Sequence, residues 1–371
     1  MKIGTKDSIV IVGAGLSGAV LAERYASIGK KVVVIDKRYH IAGNCYDYVA
    51  SNNILKSKYG AHIFHTSYED VWEYVNRFST WNNYEHRVLS FVDCQLVPVP
   101  ANLTTYNKVL NRDMDSDHLK DFLENKNAYR DIDVNNSEDS ALKRLGSRDI
   151  YEKMFKNYTK KQWDMEPKEL EASVMERIPV RYDENDRYFN DKYEAMPSEG
   201  YTKFIENMLN HPLIEVHTNT DFFNQQVEYE KLFFTGRIDT YFNEKFGELQ
   251  YRSLRFEDEL LDNDSFQKVA VVNYPELAFP FTRIVEHKKL YGKGDEGKTI
   301  ITKEYSTWDG EPYYPVPTQE NRDKYELYKA EAEKATEVIF VGRLANYKYF
   351  NMDQAIKNAL DMFNELEGVK E

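Results

Sequence analysis

Residues Ser8 to Asp36, SIVIVGAGLSGAVLAERYASIGKKVVVID, decide how this chain folds. Ser8 to Val12 is short, apolar and β-branched, as a strand buried on both faces is. Gly13, Gly15 and Gly18 follow, with Ala19 behind them. A helical pattern then sets Val20, Leu21, Tyr25 and Ile28 on one face, and Gly29 is placed to end it. Lys31 to Ile35 is a second continuous apolar strand, closed by Asp36. The glycines allow a tight turn, close backbone approach to a pyrophosphate, and close helix–strand packing. The helix start offers unpaired N–H groups and a positive dipole end to phosphates. An acid at position 36 suits the ribose hydroxyls of an adenosine. The unit therefore predicts a bound dinucleotide, with Gly13, Gly15, Ser17, Gly18, Asp36 and Lys37 around it. The pattern alone does not separate NAD from FAD.

The rest of the chain is organised around that unit. Its 371 residues suit two or three domains. Tyr68 to Phe78 has helix spacing, and Arg87 to Val99 reads as strand interrupted by Pro98 and Pro100. Residues 102–175 are helical in period and rich in charge. Short β-like runs follow at Ile214 to His217, Lys231 to Thr235, Val269 to Val272, Phe281 to Glu286 and Thr299 to Tyr305, and an antiparallel sheet is their expected use. Val338 to Val341 is again a buried strand, and a helix follows in which Asn351 and Gln354 form a candidate capping box. The predicted fold is α/β: a discontinuous Rossmann-like dinucleotide-binding domain (1–80, 190–210 and 330–371), a helical insertion domain (101–189) and an antiparallel β-sheet domain (81–100 with 211–329).

Composition narrows the function. A net charge of −13 without segregated basic residues argues against nucleic acid. No apolar run is long enough to span a bilayer, the first residues do not read as a signal peptide, and a cytoplasmic protein is expected. Cys45 and Cys94 are too few for a disulfide framework, and no histidine pair has the spacing of a metal site. The 28 tyrosines against 4 tryptophans suit a polar ligand with flat rings and phosphates, and equally an AT-rich coding bias.

Seven later segments resemble the UDP-galactopyranose mutase family: Ala42 to Asp47, Lys58 to Thr66, Tyr158 to Trp163, Arg177 to Arg181, Gly200 to Lys203, Thr282 to Lys288, and Gly342 to Tyr349. The resemblance implies FAD, active when reduced, and a non-redox exchange of pyranose and furanose forms of a nucleotide sugar. In that chemistry reduced flavin N5 attacks the anomeric carbon, the nucleoside diphosphate leaves, the ring opens through an iminium, and the ring recloses. The expected substrate is UDP-galactopyranose, with UDP-N-acetylgalactosamine or a dTDP-deoxysugar as alternatives. NAD(P)H or another reductant would activate the flavin, and a homodimer is implied.

The same resemblance assigns residues. Arg177 and Arg283 would hold the departing diphosphate, for which a planar, permanently charged fork is suited. Surface salt bridges are the plain alternative for both. His62 would sit beside the flavin, with His65 as packing; on an extended segment the two would face opposite sides. Tyr158, Thr159 and Trp163 would surround the base, although Trp163 also fits an amphipathic helix face. Tyr188, Tyr314 and Tyr349 would donate hydroxyl bonds to phosphate, with Tyr314 preferred over its neighbour Tyr313. Asn44, Gly342, Arg343 and Asp353 would meet the flavin.

Three positions depart from the family pattern. His86 stands where an asparagine is expected, Asn351 where an aspartate is expected, and Ala42 replaces a glycine. The first two make the site less negative, and a histidine can change charge near neutral pH. Drift within one activity and a different nucleotide sugar both account for them. Two further classes stay open on sequence alone: an ordinary flavin oxidoreductase, and a binding protein that has kept the fold without turnover.

Overall fold

A computed structural model describes residues 2–176 and 179–369. Five parallel strands form its base, in the order Ile214–His217, Lys31–Ile35, Ser8–Val12, Lys231–Phe234, Val338–Phe340. The two strands named first in the sequence lie side by side in register from Ser8 against Lys31 to Val12 against Ile35. Ile9, Val10, Ile11 and Val34 are fully buried, as strands covered on both faces must be. Helices Leu16–Ser27, Tyr201–Leu209 and Met352–Glu367 pack together on one side.

Close packing explains the glycines. A Cβ on Gly18 would lie 1.9 Å from the Gly13 carbonyl oxygen, so any side chain there pushes the helix off its strand. Gly13 has φ +110°, and a Cβ on it would stand 2.0 Å from Thr235 Oγ1. Gly29, at φ +86°, follows the helix end as expected. Ile28 does not join the buried face; it caps the helix and is half-exposed, because the chain has already left helical geometry there.

The antiparallel expectation needs correction. Ile214–His217 and Lys231–Phe234 belong to the parallel sheet, on opposite sides of the first two strands. Periodicity reads a strand's burial and leaves its partner open, so short apolar runs after a helical region carried no sign of which sheet they join. A second sheet of seven strands runs Tyr314–Pro315, Tyr251–Leu261, Thr299–Thr307, Arg283–Glu286, Val271–Asn273, Val88–Val92, Gln95–Val99. It is antiparallel except where Val271–Asn273 meets Val88–Val92 in parallel. Its longest strand, Tyr251–Leu261, was not among the expected runs, since its outer half is solvent-exposed and charged. Trp81–Asn83 leaves that sheet altogether and pairs with Tyr193–Pro197, which also pairs with Phe64–Thr66.

After strand Gln95–Val99 come helices Leu103–Leu110, Ser116–Glu124 and Ser137–Leu145, capped by the side chains of Asn102, Asp115 and Asn136. A longer helical run from Arg148 to Trp163 contains a π-type segment, Tyr151–Lys156, directly before Tyr158. Such turns are frequent at functional sites.

The packing makes a test. Gly18→Ala should lower unfolding stability by about 1–3 kcal/mol, the usual cost of overpacking, when followed by urea denaturation. A variant as stable as the parent would mean that the helix is not held against Gly13.

Candidate active site

One cavity opens at the ends of the parallel strands and a second adjoins it. The first, about 370 Å³, is lined by Val12, Ile35 and Phe234 at strand ends, by Gly13, Gly15, Ser17 and Gly18 of the turn, and by Asp36 and Lys37. The helix beginning at Leu16 has no side-chain cap and no acid in its first turn, so its positive end is left for a ligand. Asp36 braces the turn: its Oδ2 accepts from Ala14 N at 2.8 Å and its Oδ1 from Arg38 N at 2.8 Å. Each oxygen retains acceptor capacity for a ribose hydroxyl. Gly342, at φ +97°, closes the far wall; a Cβ there would stand 3.0 Å from Ser17 Oγ.

The second cavity, about 590 Å³, adjoins the first through Asn44, His62, Arg343 and Asn351, which line both. Phe155, Tyr158, Thr159, Gln162 and Trp163 face it from one helix stripe. Trp163 also packs on Leu170 and Val174, as a residue on an amphipathic helix face does. Tyr188, Tyr313, Tyr314, Tyr349, His86 and Arg283 complete the wall.

Arg283 lines the second cavity, and Arg343 lines its junction with the first. Arg283 Nε donates to Glu304 Oε2 at 2.5 Å. Burial opposes the guanidinium charge, but Glu304 and the phenols of Tyr158 and Tyr314 hold its pKa well above the ordinary value. Arg343 lies over the rings of Tyr349 and Tyr314, which stack in parallel at 5.5 Å. Its Nε and one terminal nitrogen are buried without a hydrogen-bond partner. Unpaired buried guanidinium nitrogens are costly unless a ligand accepts from them. The uncapped helix end, the glycine cradle and this orphaned arginine together fit a large anionic dinucleotide.

Two of the cavity histidines, His62 and His86, are held neutral by burial. His62 donates through Nδ1–H to the Gly60 carbonyl at 3.0 Å, since a carbonyl can only accept, so Nδ1 is the protonated nitrogen. Burial pushes the pKa of His62 down to about 4. For His86 the same burial, with Arg283 and His65 nearby, brings it down to about 3. The expectation that His86 changes charge near neutral pH is thereby corrected.

Two further expectations change. Asp353 lines neither cavity; one position beyond Met352 on the helix it turns away, and its buried carboxyl is pushed upward in pKa by desolvation beside Thr66 and His65. His62 and His65 do not part company: both line the second cavity, because residues 61–63 are irregular and strand alternation does not apply. His65 bonds Asp191 through Nδ1 at 2.8 Å and stacks on Phe189 at 3.6 Å. Asn351 does cap the last helix, with Gln354 Oε1 accepting from Asn351 N at 3.0 Å. Arg177 lies outside the described residues.

Sequence reasoning missed Phe155, Arg38 and Glu304. Phe155 could have been found, three positions before Tyr158 on the same stripe. Glu304 could not: it meets Arg283 across a strand pair.

Comparison with known proteins decides the family. The profile described as UDP-galactopyranose mutase matches residues 153–349, and an NAD(P)-binding Rossmann-like domain matches 11–78. A dTDP-fucopyranose mutase of Escherichia coli is 37% identical over 96% of this chain and 97% of its own. A probable UDP-galactopyranose mutase of Klebsiella pneumoniae is 38% identical over 96% of this chain and 94% of its own. The chain belongs to the UDP-galactopyranose mutase family. A crystal structure of a reduced UDP-galactopyranose mutase has the same fold, with TM-score 0.78 at 16% identity, covering 98% of this chain and 94% of that one. As a member of this mutase family the chain is a flavoprotein whose cofactor is FAD, and its activity is a nucleotide-sugar pyranose/furanose isomerisation. Among the described residues no helix is long and apolar enough to cross a membrane.

The neutral histidine gives a pH test. With a folded pKa near 3 against an unfolded value of about 6.5, the unfolded state binds the extra proton between those values. The stability contributed by neutral His86 is therefore present above about pH 6.5 and falls as pH is lowered. Between pH 7 and pH 5 the loss should be on the order of 1–2 kcal/mol, and His86→Asn should remove it. Urea titrations at the two pH values give the comparison, and identical slopes in parent and variant would show that His86 is not held neutral.

Proposed function

We propose that the chain interconverts UDP-galactopyranose and UDP-galactofuranose, and that Arg283 is the group around which the reaction is built. The observation that carries this reading is a partly cavity-facing guanidinium anchored by Glu304 and surrounded by the phenols of Tyr158 and Tyr314. Glu304 takes Nε and leaves the outer nitrogens to a diphosphate. Arg343, with its unpaired nitrogens, meets the anion where the two cavities join. The hydroxyls of Tyr188, Tyr314 and Tyr349 add neutral donors, and the stripe of Phe155, Tyr158, Thr159 and Trp163 holds the base. Arg177, from the segment after the helix at Ser173–Glu176, is assigned to the same diphosphate by family pattern.

When bound and reduced, FAD supplies a nucleophilic N5 for the anomeric carbon. The protein's own contribution is to neutralise the diphosphate as it leaves and to keep it beside the sugar, which makes its return effectively intramolecular. Neutral His62 adds no positive charge next to the cofactor and presents Nε2 as an acceptor. Within this scheme residues 101–189 are the substrate-binding part, the parallel sheet and its helices bind FAD through Gly13, Gly15, Ser17, Gly18, Asp36, Lys37, Asn44, Gly342 and Arg343, and the antiparallel sheet supplies Arg283. We place the protein in the cytoplasm as a homodimer, activated by NAD(P)H or another reductant.

A second reading, a dTDP-deoxysugar as substrate, is favoured by the likeness to the dTDP-fucopyranose mutase. An electron-transferring oxidase leaves the arginine and tyrosine cluster without a task.

Chemically reduced protein should interconvert UDP-galactofuranose and UDP-galactopyranose without consuming reductant, read by chromatography. Conversion of dTDP-fucopyranose alone would move the assignment to the second reading, and no conversion of any nucleotide sugar would reject both. Arg283→Lys should lower kcat by about 100- to 1,000-fold, the usual loss when one oxyanion donor is removed.

A further inference from the structure

Two adjacent lysines in the substrate-lining helix behave differently. Lys160 pairs with Glu166 at the surface. Lys161 is half-buried and points its ammonium at four main-chain carbonyls of one loop: Tyr274, Glu276 at 3.2 Å, Phe279 at 2.9 Å and Phe281 at 2.8 Å. Three N–H donors serve four acceptors, so one bond is shared. The loop curls round this charge, with the Phe279 amide donating to the Glu276 carbonyl and the rings of Tyr274, Phe279 and Phe281 packed against one another.

The caged loop leads straight to the catalytic strand. Phe281 is two residues before Arg283, and Thr282 between them donates to the Glu304 carbonyl through both its amide and its hydroxyl. Glu304 is the ion partner of Arg283. Lys161 itself lies between Thr159 and Trp163, on the helix whose Tyr158, Thr159, Gln162 and Trp163 line the second cavity. The same helix is tied to the sheet at its end by Arg252, which donates to the Gln162 carbonyl at 3.0 Å, and by Trp308, which donates to Asp164 at 2.8 Å.

We propose that Lys161 is a positioning residue that fixes the nucleotide-binding helix to the loop carrying Arg283, and so sets the distance between the bound base and the guanidinium that recaptures the diphosphate. The inference rests on the role given to Arg283 above. A surface-to-surface contact of apolar groups would permit sliding; four carbonyl dipoles converging on one ammonium define a single position. Burial, opposed by the nearby Glu276 carboxylate, lowers the Lys161 pKa to about 8, which keeps the ammonium charged at neutral pH.

The test uses the full-length, FAD-loaded, reduced protein, with UDP-galactofuranose or dTDP-fucofuranose as substrate, whichever the parent converts, and the matching nucleoside diphosphate as binding probe. Lys161→Met should leave diphosphate affinity within about threefold, because the base-lining stripe is intact, while kcat falls about 10- to 100-fold, as for a misplacement near 1 Å. Lys161→Ala should regain at least about fivefold in kcat with ammonium or potassium chloride relative to tetramethylammonium chloride, since a small cation fits a carbonyl cage. If Lys161→Met does not fold, Lys161→Gln reads the same contrast. A kcat within twofold of the parent, or loss of diphosphate and FAD binding together with no recovery by ammonium, overturns the proposal. Arg283→Lys run in parallel separates the two claims: full activity there sinks the role of Arg283, whereas impairment there with normal Lys161→Met sinks only this inference.

Discussion

A guanidinium charge has to be kept in a half-buried site without being fully neutralised, and the rest of the structure is arranged round that requirement. Glu304 meets Arg283 directly across a strand pair, in a register that also sets Ile284 against Lys303 and Val285 against Thr302. A slip of one residue would send the arginine to the other face of the sheet. Taking an unpaired charge out of water costs several kcal/mol, so a lone arginine here would be expelled or would need a permanent counter-ion. One carboxylate oxygen on Nε satisfies the charge and leaves the outer edge of the fork unspent. That is how a chain with net charge −13 can still offer a positive pocket to an anion.

The parallel sheet supplies the complementary half. Strand Ser8–Val12 has Lys31–Ile35 on one side and Lys231–Phe234 on the other, so the chain reverses its direction of winding at Val12. Ligands of such sheets sit beyond the carboxyl ends at this reversal, where neighbouring loops diverge. Gly13, Asp36 and Thr235 are the residues next after these three strands, and all three line the first cavity. The second cavity adjoins it because the chain after the edge strand Val338–Phe340 passes from Gly342, which lines the first, to Arg343, which lines both. Cofactor and substrate sites are thus neighbours through backbone topology, before any side chain is considered.

Local rules made the nucleotide-binding unit legible, because each part is signalled by residues within a few positions: apolar runs for strands, Gly18 for close packing, Gly29 after the helix. The capping pair Asn351 and Gln354 was readable for the same reason. What escaped was set by contacts distant in sequence. Nothing in Ile214–His217 says that its partner is Lys31–Ile35, and nothing near Arg283 announces Glu304. The family pattern placed Asp353 at the cofactor, yet on a helix a single step rotates a side chain by about 100°, enough to turn it from the cavity lined by Met352 toward Thr66. His86 was misjudged for another reason: its charge state belongs to its surroundings, and burial near Arg283 outweighs the intrinsic basicity of imidazole.

That last point bears on the departures from the family pattern. His86 is neutral, and Asn351 spends its side-chain oxygen on capping its own helix while Gln354 returns the bond. An aspartate could make the same cap but would add a negative charge at the junction of the two cavities; asparagine keeps the cap and leaves an amide donor. Neither departure adds a cation, so in the proposed scheme the positive charge available to a diphosphate still comes from Arg283, Arg343 and Arg177. In the proposed reaction the leaving group would therefore be handled as in the family at large, and the altered positions act on neutral hydrogen bonding and shape. Those are the terms on which sugars differing by a hydroxyl are told apart.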